Sequence, residues 1–123
     1  MGTWTSDELD TIGGADELEI ASVRPDGTQR KPVTIWLVRL GDDVYVRSVN
    51  GRTSSWFRGA QARHEAHIEA GGVDKDVLLV ETDDVNNTID AAYRAKYHRY
   101  AKNIVDSIVT PDARAATLKL VPR

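Results

Sequence analysis

The chain has 123 residues, 41% of them hydrophobic, with 16 basic and 19 acidic side chains and a formal charge of −3. That is an ordinary globular composition at a length suited to one domain, 1–123, with a core of its own. It contains no cysteine, which excludes disulfides, thiolate zinc sites, iron–sulfur clusters and a cysteine nucleophile.

The charge is unevenly distributed. Residues 1–23 carry −6, 24–63 carry +5, 64–91 carry −7 and 92–123 carry +5. Two readings stand for the basic blocks: solvated faces with local ion pairing, or two segments that meet to hold one anion. The acidic whole argues against a general nucleic-acid or membrane-surface partner. The longest apolar run, Val33 to Val38, is far short of the ~20 residues of a spanning helix. The N-terminus lacks the basic and apolar regions of a signal peptide, which points to a cytoplasmic protein. Gly2 with Ser6 matches a short myristoylation pattern, but no polybasic segment supplies a second anchor.

In chain order, Thr5 or Ser6 caps a short helix with acids in its first turn, ending at Gly13-Gly14. Leu18 and Ile20 alternate with Glu17 and Glu19 as a half-buried strand. Pro25-Asp26-Gly27 is a turn. Val33 to Val38 is apolar on both faces and predicts a central strand. Gly41-Asp42-Asp43 closes a hairpin into a strand over Val44 to Val49, and Asn50-Gly51 turns into a helix from about Ser54 to Ala62. Arg63 to Ala70 alternates as a strand, Gly71-Gly72 turns, and Val77 to Val80 is the next strand. From Thr88, Ile89, Tyr93, Tyr97, Tyr100, Ile104 and Ile108 recur every three or four residues as one helical stripe. Pro111 ends that region, and Ala116, Leu118 and Leu120 alternate in a last strand. Six strands joined by tight turns, with helices at the periphery, predict a mainly β, antiparallel barrel.

Several motifs fail on inspection. His64-Glu65-Ala66-His67 lacks the i, i+4 spacing of a zinc helix, and on a strand its histidines face opposite ways. Asn86-Asn87-Thr88 is read as a loop and helix cap. No dinucleotide, nucleotide-hydrolase or serine-hydrolase fingerprint occurs. Tyr93, Tyr97 and Tyr100, interleaved with bases, have the spacing of a buried stripe rather than of a stacking platform for nucleic acid.

The informative stretch is Arg47-Ser48-Val49-Asn50-Gly51-Arg52-Thr53-Ser54-Ser55-Trp56-Phe57-Arg58. A strand end, a turn and a helix start follow one another, bringing arginines, hydroxyls and free helix amides together. Helix amides and dipole favour a phosphate, hydroxyls donate to it, and arginine forks chelate it. Equally, Ser54 can simply cap the helix while the arginines remain solvated.

These residues resemble the flavin-binding split-barrel superfamily, which includes pyridoxamine-phosphate oxidase-like proteins and deazaflavin-dependent nitroreductases. The resemblance rests on Lys31-Pro32-Val33-Thr34-Ile35-Trp36, on Val44-Tyr45-Val46-Arg47-Ser48, on the Gly51-Arg52-x-Ser54-x-Trp56 corner, and on Thr117 to Pro122. Trp56-Phe57-Arg58 and Ala92 to Tyr97 look like an uncharacterised family of short proteins within it. The resemblance implies a six-stranded antiparallel split β-barrel, and a homodimer holding FMN or a deazaflavin, a small-molecule ligand, at the subunit interface. Arg47, Ser48, Arg52, Thr53 and Ser54 would hold the phosphate. Lys31 and Trp36 would pass the ring system, and Trp56 would begin the helix beside the phosphate. An oxidoreductase of unknown substrate is implied; the alternative is a non-catalytic ligand-binding or structural barrel that has lost the cofactor.

Overall fold

A computed structural model describes residues 3–123; Gly2 of the lipidation pattern lies outside them. Helix α1 spans Ser6–Gly14 and opens on a capping box: Glu8 N donates to Thr5 Oγ1 at 3.1 Å, and Thr5 N donates to Glu8 Oε1 at 2.9 Å. Strand β1 (Leu18–Ser22) follows, then a turn at Pro25-Asp26-Gly27.

The run from Val33 is where the molecule departs most from expectation. It is two strands, β2 (Val33–Ile35) and β3 (Leu37–Leu40), separated by Trp36. Neither is central. The sheet order is β2-β1, then β5 (Glu65–Ala70), β6 (Val73–Glu81), β7 (Thr117–Pro122), β4 (Asp43–Arg47) and β3, so β2 and β3 are its two edges. The count is therefore seven strands rather than six, every ladder is antiparallel, and the sheet curls into a nearly closed barrel with its edges joined through Trp36. The apolar run misled because only β3 is buried on both faces. Leu37 enters one core and Val38 another, whereas Val33 and Thr34 of β2 are exposed.

The first core fills the barrel. Leu18, Ile20, Val44, Val46, Ile68, Val77, Leu79, Leu118 and Leu120 point inward with α1's Leu9 and Ile12 and with Phe57 of helix α2 (Ser55–Arg63). Arg63 thus belongs to this helix and not to β5. Burying a side chain of this size contributes ~1.5–3 kcal/mol, so the barrel interior supplies most of the drive to fold. The second core lies outside β3 and β4, where Val38 and Tyr45 meet Ile89, Tyr93, Tyr97, Val105 and Ile108.

That second core comes from broken helices. Helix α3 covers Asn86–Lys96 and α4 covers Lys102–Asp106, with turns over 97–101. The single stripe from Thr88 is therefore divided, and Ile104 stands 46% exposed. Asn86 lies inside α3, whose N-cap is Val85. Pro111 does not end the region; it opens a short helix, α5 (Pro111–Arg114), with Thr110 as its cap. Among the described residues no helix is long and apolar enough to cross a membrane.

Candidate functional site at the β4–α2 corner

Strand β4 ends at Arg47, and a 3-10 turn over Gly51–Thr53 leads into α2. Gly51 has φ +78°, and a Cβ there would press on Asp112 at 3.2 Å, so the corner needs glycine for conformation and for space. Ser54 occupies the N-cap of α2 but makes no capping bond. Its hydroxyl instead hydrogen-bonds the Ser48 hydroxyl at 2.7 Å. The amides of the first turn, which have no intrahelical acceptors, therefore remain free of a side-chain cap.

In front of this corner lies a cavity of about 370 Å³, within the size range of small-ligand sites. Its polar end is Ser48, Asn50, Ser54 and the start of α2. Its apolar walls include Val33, Ile35, Trp36, Val49, Trp56 and Ile104. Of the sequence-predicted residues, Trp36, Arg47, Ser48, Ser54 and Trp56 line this cavity, and Lys31, Arg52 and Thr53 do not. The sequence had placed Ile104 in a helical core stripe; the break before α4 is what turns it toward the cavity. A larger groove of about 600 Å³ between α1, β3 and α3 includes Arg39, but Arg39 is already paired with Asp10.

Trp36 is held firmly. Its ring stacks on Tyr97 at 3.9 Å with an interplanar angle of 2°. The Tyr97 hydroxyl accepts from Leu37 N at 3.2 Å and donates to Asp16 O at 2.8 Å. Burial pushes the Tyr97 phenol up to about 12. Beside it, the Lys96 ammonium donates to Leu37 O at 3.0 Å, and desolvation lowers that amine to about 8. The chain therefore bends at Trp36 against a fixed aromatic platform.

The two corner arginines play unlike parts. Arg47 is fully buried, and all five of its N–H donors are engaged: Nε on Thr117 Oγ1 at 3.0 Å, Nη1 on Asp90 Oδ1 at 2.5 Å and Ile108 O at 3.1 Å, and Nη2 on Asn86 O at 3.2 Å and Oδ1 at 2.9 Å. It ties β4 to β7, α3 and the segment after α4. Arg52 is half-exposed, bonded to Glu81 at 2.7 Å and Ala115 O at 2.8 Å, and stacked over Phe57. Its contact holds the Glu81 carboxyl below the usual range. Ion pairs of this kind link the acidic and basic blocks, as in Arg39–Asp10, Arg99–Asp16 and Arg114–Asp90.

A curled antiparallel barrel with this helix-capped corner defines the class of fold, a split β-barrel. The chain is similar in structure to an F420 reductase, with a TM-score of 0.61 at 14% identity over 93% of this chain and 90% of that one. It is similar to HutZ, the heme storage protein of Vibrio cholerae (0.66, 15%, 96% and 89%), and to the FAD and heme binding protein of Mycobacterium smegmatis (0.56, 19%, 97% and 65%). At such identities the likeness is one of fold. The chain belongs to the family described as uncharacterized protein conserved in bacteria, DUF2255, whose model matches residues 8–120. No curated protein matches it.

Proposed function

We propose that this protein binds a flavin-type cofactor, FMN or a deazaflavin, in the cavity at the β4–α2 corner, and that it works as an oxidoreductase. The observation that carries this reading is one cavity that joins a helix start without a side-chain cap and a hydroxyl pair at one end to two tryptophans and aliphatic walls at the other. A planar ring with an anionic tail needs those two surfaces. Trp36, on its Tyr97 platform, and Trp56 would accept the ring; Ser48, Ser54 and the first amides of α2 would take the polar end. Arg47, with no donor to spare, fixes the end of β4 and so positions Ser48. Lys31, Arg52 and Thr53 would act from outside the cavity, through field and through the order of the corner. When bound, such a cofactor supplies hydride or electron transfer, and the protein supplies binding and orientation. No histidine is among the residues lining the cavity, so the imidazole that most often ligates haem iron is not at hand there.

A second copy of the chain would complete the pocket. Val33, Val49 and Ile104 are 37%, 48% and 46% exposed, and all three rim this cavity. Such a shared apolar rim is what a partner covers. Visible absorbance and native mass of the purified protein, with and without added FMN or F420, test the reading directly. Binding at micromolar concentration is expected, about tenfold weaker in Trp36→Ala, as loss of ring stacking predicts. Failure of both cofactors to bind would overturn it. Sedimentation should show a dimer.

A further inference from the structure

Of the chain's eleven arginines, eight form ion pairs, and Arg24 is bonded to Thr28 and Gln29 O. Among the described residues, only the guanidiniums of Arg30 and Arg58 have no protein partner. They are not scattered. Both line one recess of about 350 Å³ together with Ser55 and Gly59, and Ser55 stands between Ser54 and Trp56 of the cavity.

Behind Gly59, which lines this recess, two polar atoms are left without partners. Arg30 Nε is buried and unbonded, and so is Ser22 Oγ, on a residue only 3% exposed at the end of β1. The two atoms converge on Gly59, where an added Cβ would lie 2.7 Å from each. The Arg30 backbone is fixed by its amide bond to Ser22 O at 2.8 Å. Leaving such donors unmade is costly, and in this molecule nearly every other arginine is satisfied. Ser55 adds a hydroxyl and a first-turn amide at the positive end of the nine-residue α2.

We propose that the Arg30–Ser55–Arg58 recess is an oxyanion site for a phosphate monoester. Two unneutralised guanidiniums balance a group of charge near −2, and their forks with the serine donors match its three terminal oxygens. A carboxylate would leave one cation and several donors unmatched. The site stands whether or not the neighbouring cavity takes a flavin. The phosphate belongs either to the molecule whose rings occupy that cavity or to a separate ester.

Inorganic phosphate titrated into the full-length chain at low ionic strength, followed by calorimetry, is the primary test. Saturable binding is expected, weakened about tenfold or more in Arg58→Gln and in Gly59→Ala, the scale of one lost charge-assisted contact. Arg58 is exposed, so Arg58→Gln should keep the wild-type melting temperature and report on binding alone. No saturable binding, or equal binding in both variants, overturns the site. FMN compared with riboflavin separates the sources. If Arg58→Gln weakens FMN but not riboflavin, the site is supported and its phosphate is the cavity ligand's own. Phosphate and FMN bound together without competition support the site with a separate ester. Phosphate bound as expected with no flavin bound at all removes the flavin reading and leaves this site standing.

Discussion

Arg47 and Arg52 stand five residues apart on the same corner, and they show how differently one side chain can be used. Arg47 has no exposure and five committed donors, on partners from 39 to 70 residues away. Arg52 shares one nitrogen between Glu81 and a carbonyl and keeps half its surface in water. A buried charge is tolerated only when every donor is met, so Arg47 is a fastener. An exposed one can be lost at small cost, so Arg52 remains adjustable.

Removing the fastener is the severest way to break this contrast. Arg47→Leu takes the guanidinium from Asp90 Oδ1, Asn86 and Ile108 O and should cost about 3–5 kcal/mol, the usual scale for halving a buried pair. A thermal melt should then fall by roughly 10 °C or more, and an unchanged melt would deny the fastening role. Tyr97→Phe comes next. It takes the acceptor from the buried Leu37 amide beside the bend at Trp36, an expected loss of about 1–2 kcal/mol by chemical denaturation.

Arg52→Ala should cost less than about 1 kcal/mol, and the difference should shrink in high salt, as for other exposed pairs. A salt-independent effect would put Arg52 with Arg47 after all. The smallest effect belongs to His67, an exposed-side pair on the opposite strands. Its hydrogen bond to Asp76 at 2.7 Å and its contact with Asp74 hold the imidazolium above its ordinary 6.5. A raised folded value means stability that is full below pH 6.5 and fades as pH rises through the raised value. His67→Gln should flatten that part of the stability–pH curve.

The same contrast explains what could be read in the sequence. Local chemistry was legible: a cap at Thr5 or Ser6, the turn at Gly27, the hairpin at Gly41 and the helix start near Ser54 all depend on neighbours within a few residues. The barrel class was legible too, from alternation and turn spacing. What depended on distant partners was not. Nothing near Arg47 announces Asp90 or Asn86, and nothing within Val33–Leu40 says that its halves join opposite edges of the sheet. The site divides in the same way. Trp36, Ser48, Ser54 and Trp56 could be named from their order in the chain, whereas Ile104 needed the break after α3. Arg30 pairs with Arg58 only because α2 folds across the end of β1.

The bend at Trp36 also settles a question of parity. Around a ring in which every neighbouring pair is antiparallel, directions must alternate, so an odd number of staves cannot close. Seven strands manage it because β2 and β3 are successive pieces of one chain segment and run the same way. Counted by direction, the ring has six staves, one of them creased. A single new strand inserted into this barrel would leave two neighbours parallel, so growth of the fold by whole hairpins preserves the closure where growth by one strand does not.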